Sequence, residues 1–307
     1  MTFVLLNEAA RHHQARRLWS RIEPEIRRGG RVEVVSLDAH SQWEQDLARA
    51  VERGHRHFIA AGGDGTVGSL VDGLVRAARP HELKEFTLGA VGLGSSNDFH
   101  KPYSKFLAGV PVRLDRASAS YRDLARVSYL DANGAKRERC FAVSASVGVV
   151  ASANALFNDA HGAIGYLKVW SSNIAIAAAA LTAIFKARSE SLIVTSSQFN
   201  QCVLVTNLSI AKTRHLAGAF TYDTPVLPND GLLSINLCEG MSRGQLLWTL
   251  MSLCRGRFRG LGRTHSWSTE AISVSSQQPF DLELDGEVLK ATRVHCRVIP
   301  KAIRVCS

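Results

Sequence analysis

The sequence predicts an α/β domain followed by an all-β domain. Strand-like and helix-like runs alternate through the first third of the chain. Short strand-like runs with hairpin turns fill most of the remainder, and the texture changes near residue 122. At 307 residues the chain exceeds the roughly 100–200 residues of a usual single domain, which agrees with two domains. The expected division is 1–122 for an N-terminal parallel α/β domain and 123–307 for a C-terminal antiparallel β-sandwich domain.

In the first part, residues 3–6 form a short apolar run that reads as a buried strand. Residues 11–28 carry Ala15, Leu18, Ile22 and Ile26 at helical spacing. Residues 32–37 read as a second strand. Residues 41–53 read as a helix opened by Ser41 with Glu44 three positions on, a capping-box pattern. A third strand at 57–61 leads into Gly62-Gly63-Asp64-Gly65-Thr66 and a helix to about Arg79. A fourth at 86–91 leads into Gly92-Leu93-Gly94-Ser95-Ser96-Asn97-Asp98. Repeated strand–helix units imply a parallel sheet covered on both faces, whose ligands sit beyond the carboxyl ends of the strands. Both glycine-rich loops fall at such ends.

In the second part, residues 125–130, 138–147, 191–195, 201–207, 232–238, 271–275, 280–284 and 292–299 read as short strands. Asn133-Gly134 and Asp285-Gly286 are hairpin turn signals. Helical insertions are expected at about 165–186 and 243–255.

Composition narrows the class. Hydrophobic residues make up 46% and charged residues 21%, enough apolar material for a full core and incompatible with a disordered chain. The net charge of +10 favours phosphate-rich partners and says nothing about fold. Cys140, Cys202, Cys238, Cys254, Cys296 and Cys306 show no CxxC and no paired spacing, and most lie in apolar strand-like runs, so reduced, buried thiols in a reducing, cytoplasmic compartment are expected. The N-terminal MTFVLLNEAARHH lacks the basic start and longer apolar core of a signal peptide. The longest apolar run, IAIAAAALTAIF at 174–185, falls well short of the roughly 18 residues of a membrane span. It reads as a buried or interface helix. The histidines show no metal-ligand spacing.

Four segments carry candidate chemistry. In the GGDGT loop, glycines let backbone approach a phosphate at a helix N-terminus, and Asp64 implies a cation between carboxylate and phosphate. The loop is neither a Walker A nor a GxGxxG motif, and a plain tight turn is the competing reading. Gly94-Ser95-Ser96-Asn97-Asp98-Phe99 repeats the chemistry, with a helix cap as its bland alternative. Leu227-Pro228-Asn229-Asp230-Gly231-Leu232 reads as a turn, although Asp230 with flanking carbonyls suits a hard cation. Asp285-Gly286-Glu287 reads locally as a hairpin turn.

Taken together, GGDGT, GLGSSNDF, PNDGLL and LDGE, in that order along nearly the whole chain, resemble the diacylglycerol kinase catalytic family. That family includes the soluble bacterial lipid kinases and the sphingosine and ceramide kinases. The resemblance implies a nucleotide-binding α/β domain, a lipid-binding β-sandwich domain and a site in the cleft. It implies ATP as co-substrate, bound through Asn7, Ser36, Gly62, Gly63, Asp64, Gly65, Thr66, Val67, Gly68, Gly94, Ser95, Asn97 and Asp98. It implies catalytic Mg²⁺ organised, partly through water, by Asp64, Asp98 and Glu287, a base drawn from Asp285 or Glu287, and a structural Mg²⁺ at Asp230 with the carbonyls of Leu227 and Leu232. The chain departs from the family pattern at Asn7-Glu8-Ala9-Ala10, where Asn-Pro and glycine are usual, at Ser95 in place of Thr, at Gly68 in place of Asn, and at Asn229 and Ser234, where acidic residues are frequent.

Residues 246–263, LLWTLMSLCRGRFRGLGR, carry Arg255, Arg257, Arg259 and Arg263 after an apolar stretch. This is either a core helix ending in a solvated basic turn or an interfacial patch for anionic lipid. Arg11, Arg16, Arg17, Arg27 and Arg28 read as a solvated face. The expected activity is ATP-dependent phosphorylation of a two-tailed lipid, diacylglycerol first and ceramide or a sphingoid base next. A NAD kinase and a catalytically silent lipid- or nucleotide-binding protein are the alternatives. Expected partners are ATP and a lipid at the inner membrane face, with no nucleic acid; a homodimer stays open.

Overall fold

A computed structural model describes residues 1–11, 14–38, 40–79, 82–159 and 163–307. The chain divides into two compact units, Met1–Leu124 with Pro300–Ser307, and Ala125–Ile299. The closing residues Pro300–Ser307 fall with the first unit. The cause is one long final strand, Glu287–Val305, whose end pairs in parallel with the first unit's sheet, Arg304 with Thr87 and Val305 with Leu88.

The first unit runs β1 (Thr2–Leu6), α1 (Gln14–Arg28), β2 (Val32–Ser36), α2 (Trp43–Glu52), β3 (His57–Gly62), α3 (Asp64–Ala77), β4 (Thr87–Gly92), β5 (Lys105–Leu107) and β6 (Val110–Arg113). The order β2-β1-β3-β4 is parallel throughout, and β6 closes antiparallel on β4. Every residue of β1, β3 and β4 is buried, as a sheet covered on both faces requires. α1 lays Ala15, Trp19 and Ile22 on Val4, Leu6, Ile59, Ala61 and Val91. Alternation sends Phe3 and Phe58 to the opposite face, where their rings meet and Phe58 meets Phe86.

The helix expected over 11–28 is observed from Gln14; its positions 12 and 13 lie outside the described residues. The capping box expected at Ser41 and Glu44 does not form. Ser41 Oγ instead donates to the Asp38 carbonyl and accepts the Asp38 N–H, and α2 is capped by Gln42 without a side-chain bond.

The second unit contains β7 (Ser120–Asp131, entering from the first unit), β8 (Lys136–Phe141), β9 (Ser144–Gly148), α4 (Val149–Asn158), α5 (Ala163–Trp170), α6 (Ser172–Lys186), β10 (Glu190–Ser196), β11 (Asn200–Ala211), β12 (His215–Leu216), β13 (Phe220–Thr221), β14 (Leu233–Glu239), α7 (Arg243–Leu253), β15 (Thr264–Thr269), β16 (Ala271–Leu284) and most of β17 (Glu287–Val305). β15-β14-β11-β10-β16-β17 pair antiparallel, and β9 bridges β11 and β16 beyond the end of β10. Register shifts after Val205 and Ser275 bend β11 and β16. One core, including Val147, Leu192, Leu208, Ile235, Val274, Phe280, Leu282 and Val294, fills the inside. The single helical insertion expected near 165–186 is part of three helices, α4 to α6. α7 carries a complete capping box, Ser242 with Gln245.

Candidate active site

Parallel pairing brings the expected phosphate-binding residues of the first unit to one sheet edge. Leu6 is in register with Ser36 and Ala61, and Gly62 with Gly92. Asn7, Ser36, Gly62-Gly63 and Gly94 therefore all stand at or just beyond the carboxyl ends of neighbouring strands. Asn7 N–H bonds the Ala61 carbonyl at 2.9 Å, and its side-chain amide reaches Thr66 Oγ1 at 3.4 Å.

Close approach explains the glycines here. A Cβ on Gly94 would lie 2.3 Å from Gly63 Cα, and one on Gly62 would lie 2.1 Å from Thr66 Oγ1. The Leu93 and Gly94 N–H groups both bond the Gly62 carbonyl, at 2.8 and 3.2 Å. The two loops thus lie on one another, and Gly65 is exposed at the start of α3. Thr66, Val67 and Gly68 are buried in its first turns, so they shape the loop from beneath.

Asp64 joins the loops. Its Oδ2 accepts the Asp98 N–H at 3.0 Å and its Oδ1 the Phe99 N–H at 2.9 Å, capping the 3-10 turn Asp98–His100 from the neighbouring strand end. Asn97 takes the left-handed conformation, φ 50°, and its side chain closes on the Gly94 N–H and carbonyl. Asp98 is 4% exposed and binds Lys101 Nζ at 2.7 Å. Lys101 thus shares the place where the resemblance puts Asp98 near the magnesium. Arg113 holds the same turn by donating to the Phe99 and His100 carbonyls.

In the second unit, Asp285 and Gly286 form the two-residue turn between β16 and β17, with φ 46° and 95° and Leu284 paired to Glu287. The primed turn read from Asp-Gly is therefore present. It is also an anchor. Asp285 is buried, and its carboxylate accepts the N–H groups of Ala142, Val143 and Ser144 at 2.9, 2.9 and 3.0 Å. Burial pushes its pKa up to about 6, against the pull of those donors and of Arg139. Glu287, two residues on, has a 60% exposed side chain and meets Arg139 Nη2 at 2.9 Å. The hairpin thus carries one buried and one accessible carboxylate. Asn158 of α4 ties the turn down through the Gly286 carbonyl at 2.7 Å.

The oxygens expected to hold a structural metal do converge. Around them the structure places Lys212, whose Nζ donates to the Leu227 carbonyl at 3.2 Å, Asp230 Oδ1 at 3.1 Å and the Leu232 carbonyl at 2.6 Å. The ammonium of Lys212 thus stands among the three oxygens of the expected metal set. Among the described residues, no group of three or more His, Cys, Asp or Glu side chains is gathered as a metal site. A concavity of about 800 Å³ lined by Glu190, Ile193, Cys202, Gln277 and Arg293 contains none of the expected site residues.

The second unit also exposes an apolar face. On α6, Ala175, Ala179 and Ala183 face inward, while Ile174, Leu181 and Phe185 are exposed. On α7, Leu246 and Leu253 are buried beside Ile184 of α6, while Trp248 and Met251 are exposed. Arg255, Arg257, Arg259 and Arg263 follow at the surface. Residues 246–263 therefore combine a buried stripe with exposed apolar side chains followed by surface arginines. No helix among the described residues is long and apolar enough to cross a membrane.

Sequence reasoning missed Lys101, Arg113, Arg139, Asn158 and Lys212. Only Lys101, three residues after Asp98, carried a local signal.

The first unit thus carries paired glycine loops at its strand ends, and the second, an antiparallel sheet with four helices, carries a carboxylate hairpin. Residues 1–121 match the model of the diacylglycerol kinase catalytic domain, and residues 143–307 match that of the YegS C-terminal NAD kinase beta sandwich-like domain. The chain belongs to the diacylglycerol kinase catalytic-domain family and is an enzyme of its lipid-kinase class. It is 27% identical over 281 residues to a protein of Pseudomonas savastanoi pv. phaseolicola named "Probable lipid kinase YegS-like", covering 88% of this chain and 83% of the relative. A protein of the same name from Stenotrophomonas maltophilia is 24% identical over 298 residues, covering 90% and 88%. The crystal structure of a diacylglycerol kinase from Bacillus anthracis shares the fold with a TM-score of 0.71 at 15% identity, covering 99% of this chain and 96% of that one.

Proposed function

We propose that this chain transfers the γ-phosphoryl group of ATP to the primary hydroxyl of a two-tailed lipid, with diacylglycerol the first candidate and ceramide or a sphingoid base the second. The observation that supports this most is the clamp in which Asp64 ties the GGDGT loop to the Asp98 turn. It turns two backbone-lined loops toward the strand ends where a polyphosphate is read by N–H groups. Asn7, Ser36, Gly62 to Gly68, Gly94, Ser95, Asn97 and Asp98 are assigned to the nucleotide, the buried ones as the frame of the loops.

Bound Mg²⁺ would supply charge neutralisation at the phosphates. Asp64 suits that ion by its place, a carboxylate in the first turn of α3 where the two glycine loops meet. Asp98, matched to Lys101, does not fit as a direct ligand.

At the hairpin, the accessible Glu287 is assigned as the base that takes the lipid hydroxyl proton, and buried Asp285 as the residue that positions it. The lipid is met at an anionic membrane surface, where Ile174, Leu181, Phe185, Trp248 and Met251 enter the interface and Arg255 and Arg257 meet headgroup phosphates.

The test is a panel: purified chain, Mg²⁺ and γ-labelled ATP with diacylglycerol, ceramide and sphingosine in mixed micelles. Label should enter diacylglycerol most rapidly. Nucleotide binding with no label in any lipid would favour the silent binding protein instead.

A further inference from the structure

We propose that the ammonium of Lys212 is the resident cation of the 227–232 loop, a tethered charge in the place where the family pattern puts a divalent ion, so that this loop is ordered without metal. Three donors on the ammonium meet the carbonyls of Leu227 and Leu232 and the Asp230 carboxylate. The distances, 2.6 to 3.2 Å, are those of charge-assisted hydrogen bonds. A magnesium ion requires oxygens at about 2.0–2.1 Å in octahedral array, so it cannot share this space with Nζ.

Charge agrees with the geometry. Asp230 is the one carboxylate in this set of three oxygens, and a single ammonium balances it. Asn229 and Ser234, where acidic residues would favour a divalent ion, add none. Asp230 is also committed within its own turn, accepting the Leu232 N–H at 3.0 Å and the Leu227 N–H at 3.4 Å. The lysine is not a surface group folded back by chance. Its side chain is 2% exposed, and its stem leaves the end of β11 with its N–H bonded to the Val143 carbonyl at 2.9 Å. Swinging the ammonium away to admit an ion would bury or strand a charge.

The consequence is a difference in linkage. A bound ion stabilises in proportion to its concentration and is removed by chelators, whereas a covalently tethered ammonium has no dissociation step. The same Val143 that anchors Lys212 through its carbonyl donates its N–H to Asp285 at 2.9 Å. The metal-free loop and the carboxylate hairpin therefore share one backbone support.

The experiment uses the full chain without nucleotide. Metal content after gel filtration is measured by plasma mass spectrometry, and melting is followed in excess EDTA and in millimolar Mg²⁺. The expected result is far less than one metal per chain and the same transition in both buffers. Lys212→Met keeps the stem and removes the donors. It should melt roughly 3–8 °C lower in either buffer, because two carbonyls and a carboxylate lose their shared partner. Two results would overturn the proposal. One is wild type carrying about one metal per chain, with a melting transition that falls when EDTA strips it. The other is a Lys212→Met chain as stable as wild type in EDTA. If Lys212→Met does not fold, the metal content and chelator response of the wild type decide alone.

Discussion

Asp64 holds Asp98 by its backbone: one carboxylate oxygen accepts the Asp98 N–H at 3.0 Å while the other accepts the Phe99 N–H at 2.9 Å. The residue expected only to manage charge at a phosphate is therefore also the strut between two loops. Asp64→Ala should lower kcat by orders of magnitude and cost about 1–3 kcal/mol of stability, since two N–H groups lose their acceptor. Asp64→Asn keeps one acceptor and loses the charge, so its melting temperature should recover further than its turnover. Paired kcat and melting measurements on both variants check this; equal recovery of both would remove the charge role.

The hairpin carboxylates should separate cleanly. Asn-Gly also suits the turn, and on sequence alone Asp285→Asn should spare stability. The three N–H groups on Asp285 reverse that expectation: the variant should lose about 1–3 kcal/mol. Glu287→Gln removes an exposed pair with Arg139 worth at most about 1 kcal/mol, and should instead lose about 10²–10⁴-fold in kcat/KM as the base. Denaturation curves and kcat/KM for both variants test the assignment, which fails if Glu287→Gln turns over like wild type.

Gly94→Ala puts a methyl 2.3 Å from Gly63 Cα, backbone against backbone. The loops must part, at a cost of roughly 1–3 kcal/mol. The KM for ATP should rise more than that for lipid, and a variant with unchanged ATP kinetics would contradict the phosphate-loop reading.

Acid should loosen the first unit. Burial, aided by Arg116 and the N-terminal charge, lowers His57 to about 4; burial and then Arg113 lower His100 to about 4. Both are below the unfolded value near 6.5, so the unfolded chain takes up protons first. The stability these neutral imidazoles contribute is complete above pH 6.5 and is lost as pH falls toward 4, roughly 3 kcal/mol each. Asp285 acts oppositely in the second unit. Its folded value, raised to about 6, makes its term most favourable below about 3.8 and lost as pH rises through 6. Melting curves from pH 7 to 4 should show the loss, and His100→Gln should flatten it.

Trp248→Ser and Phe185→Ser should weaken sedimentation with anionic vesicles while leaving melting unchanged, since both side chains are more than half exposed. Unaltered vesicle binding would place the membrane contact elsewhere.

What the sequence made legible was local. Unbroken apolar runs ending in glycine, such as residues 58–62, announce a buried parallel strand and the loop beyond it, because burial on both faces and tight turning need those residue types. The polar THSWST strand, β15, gave no such pattern, since it pairs as an edge with side chains only partly covered. The long-range partners were illegible for another reason. Lys212 meets Asp230 across 18 positions, and Asp285 meets Val143 across 142, and neither pairing leaves a spacing to read. Their geometry exists only once β9, β11 and β16 lie side by side.

Transfer of labelled phosphate from ATP to diacylglycerol by the purified chain, with and without Mg²⁺, tests the central claim most directly. The account predicts labelled phosphatidic acid that vanishes in chelator and returns with Mg²⁺, while the melting transition of the nucleotide-free chain stays where it was. Full transfer in chelator, or ATP binding with no labelled lipid product, would contradict it.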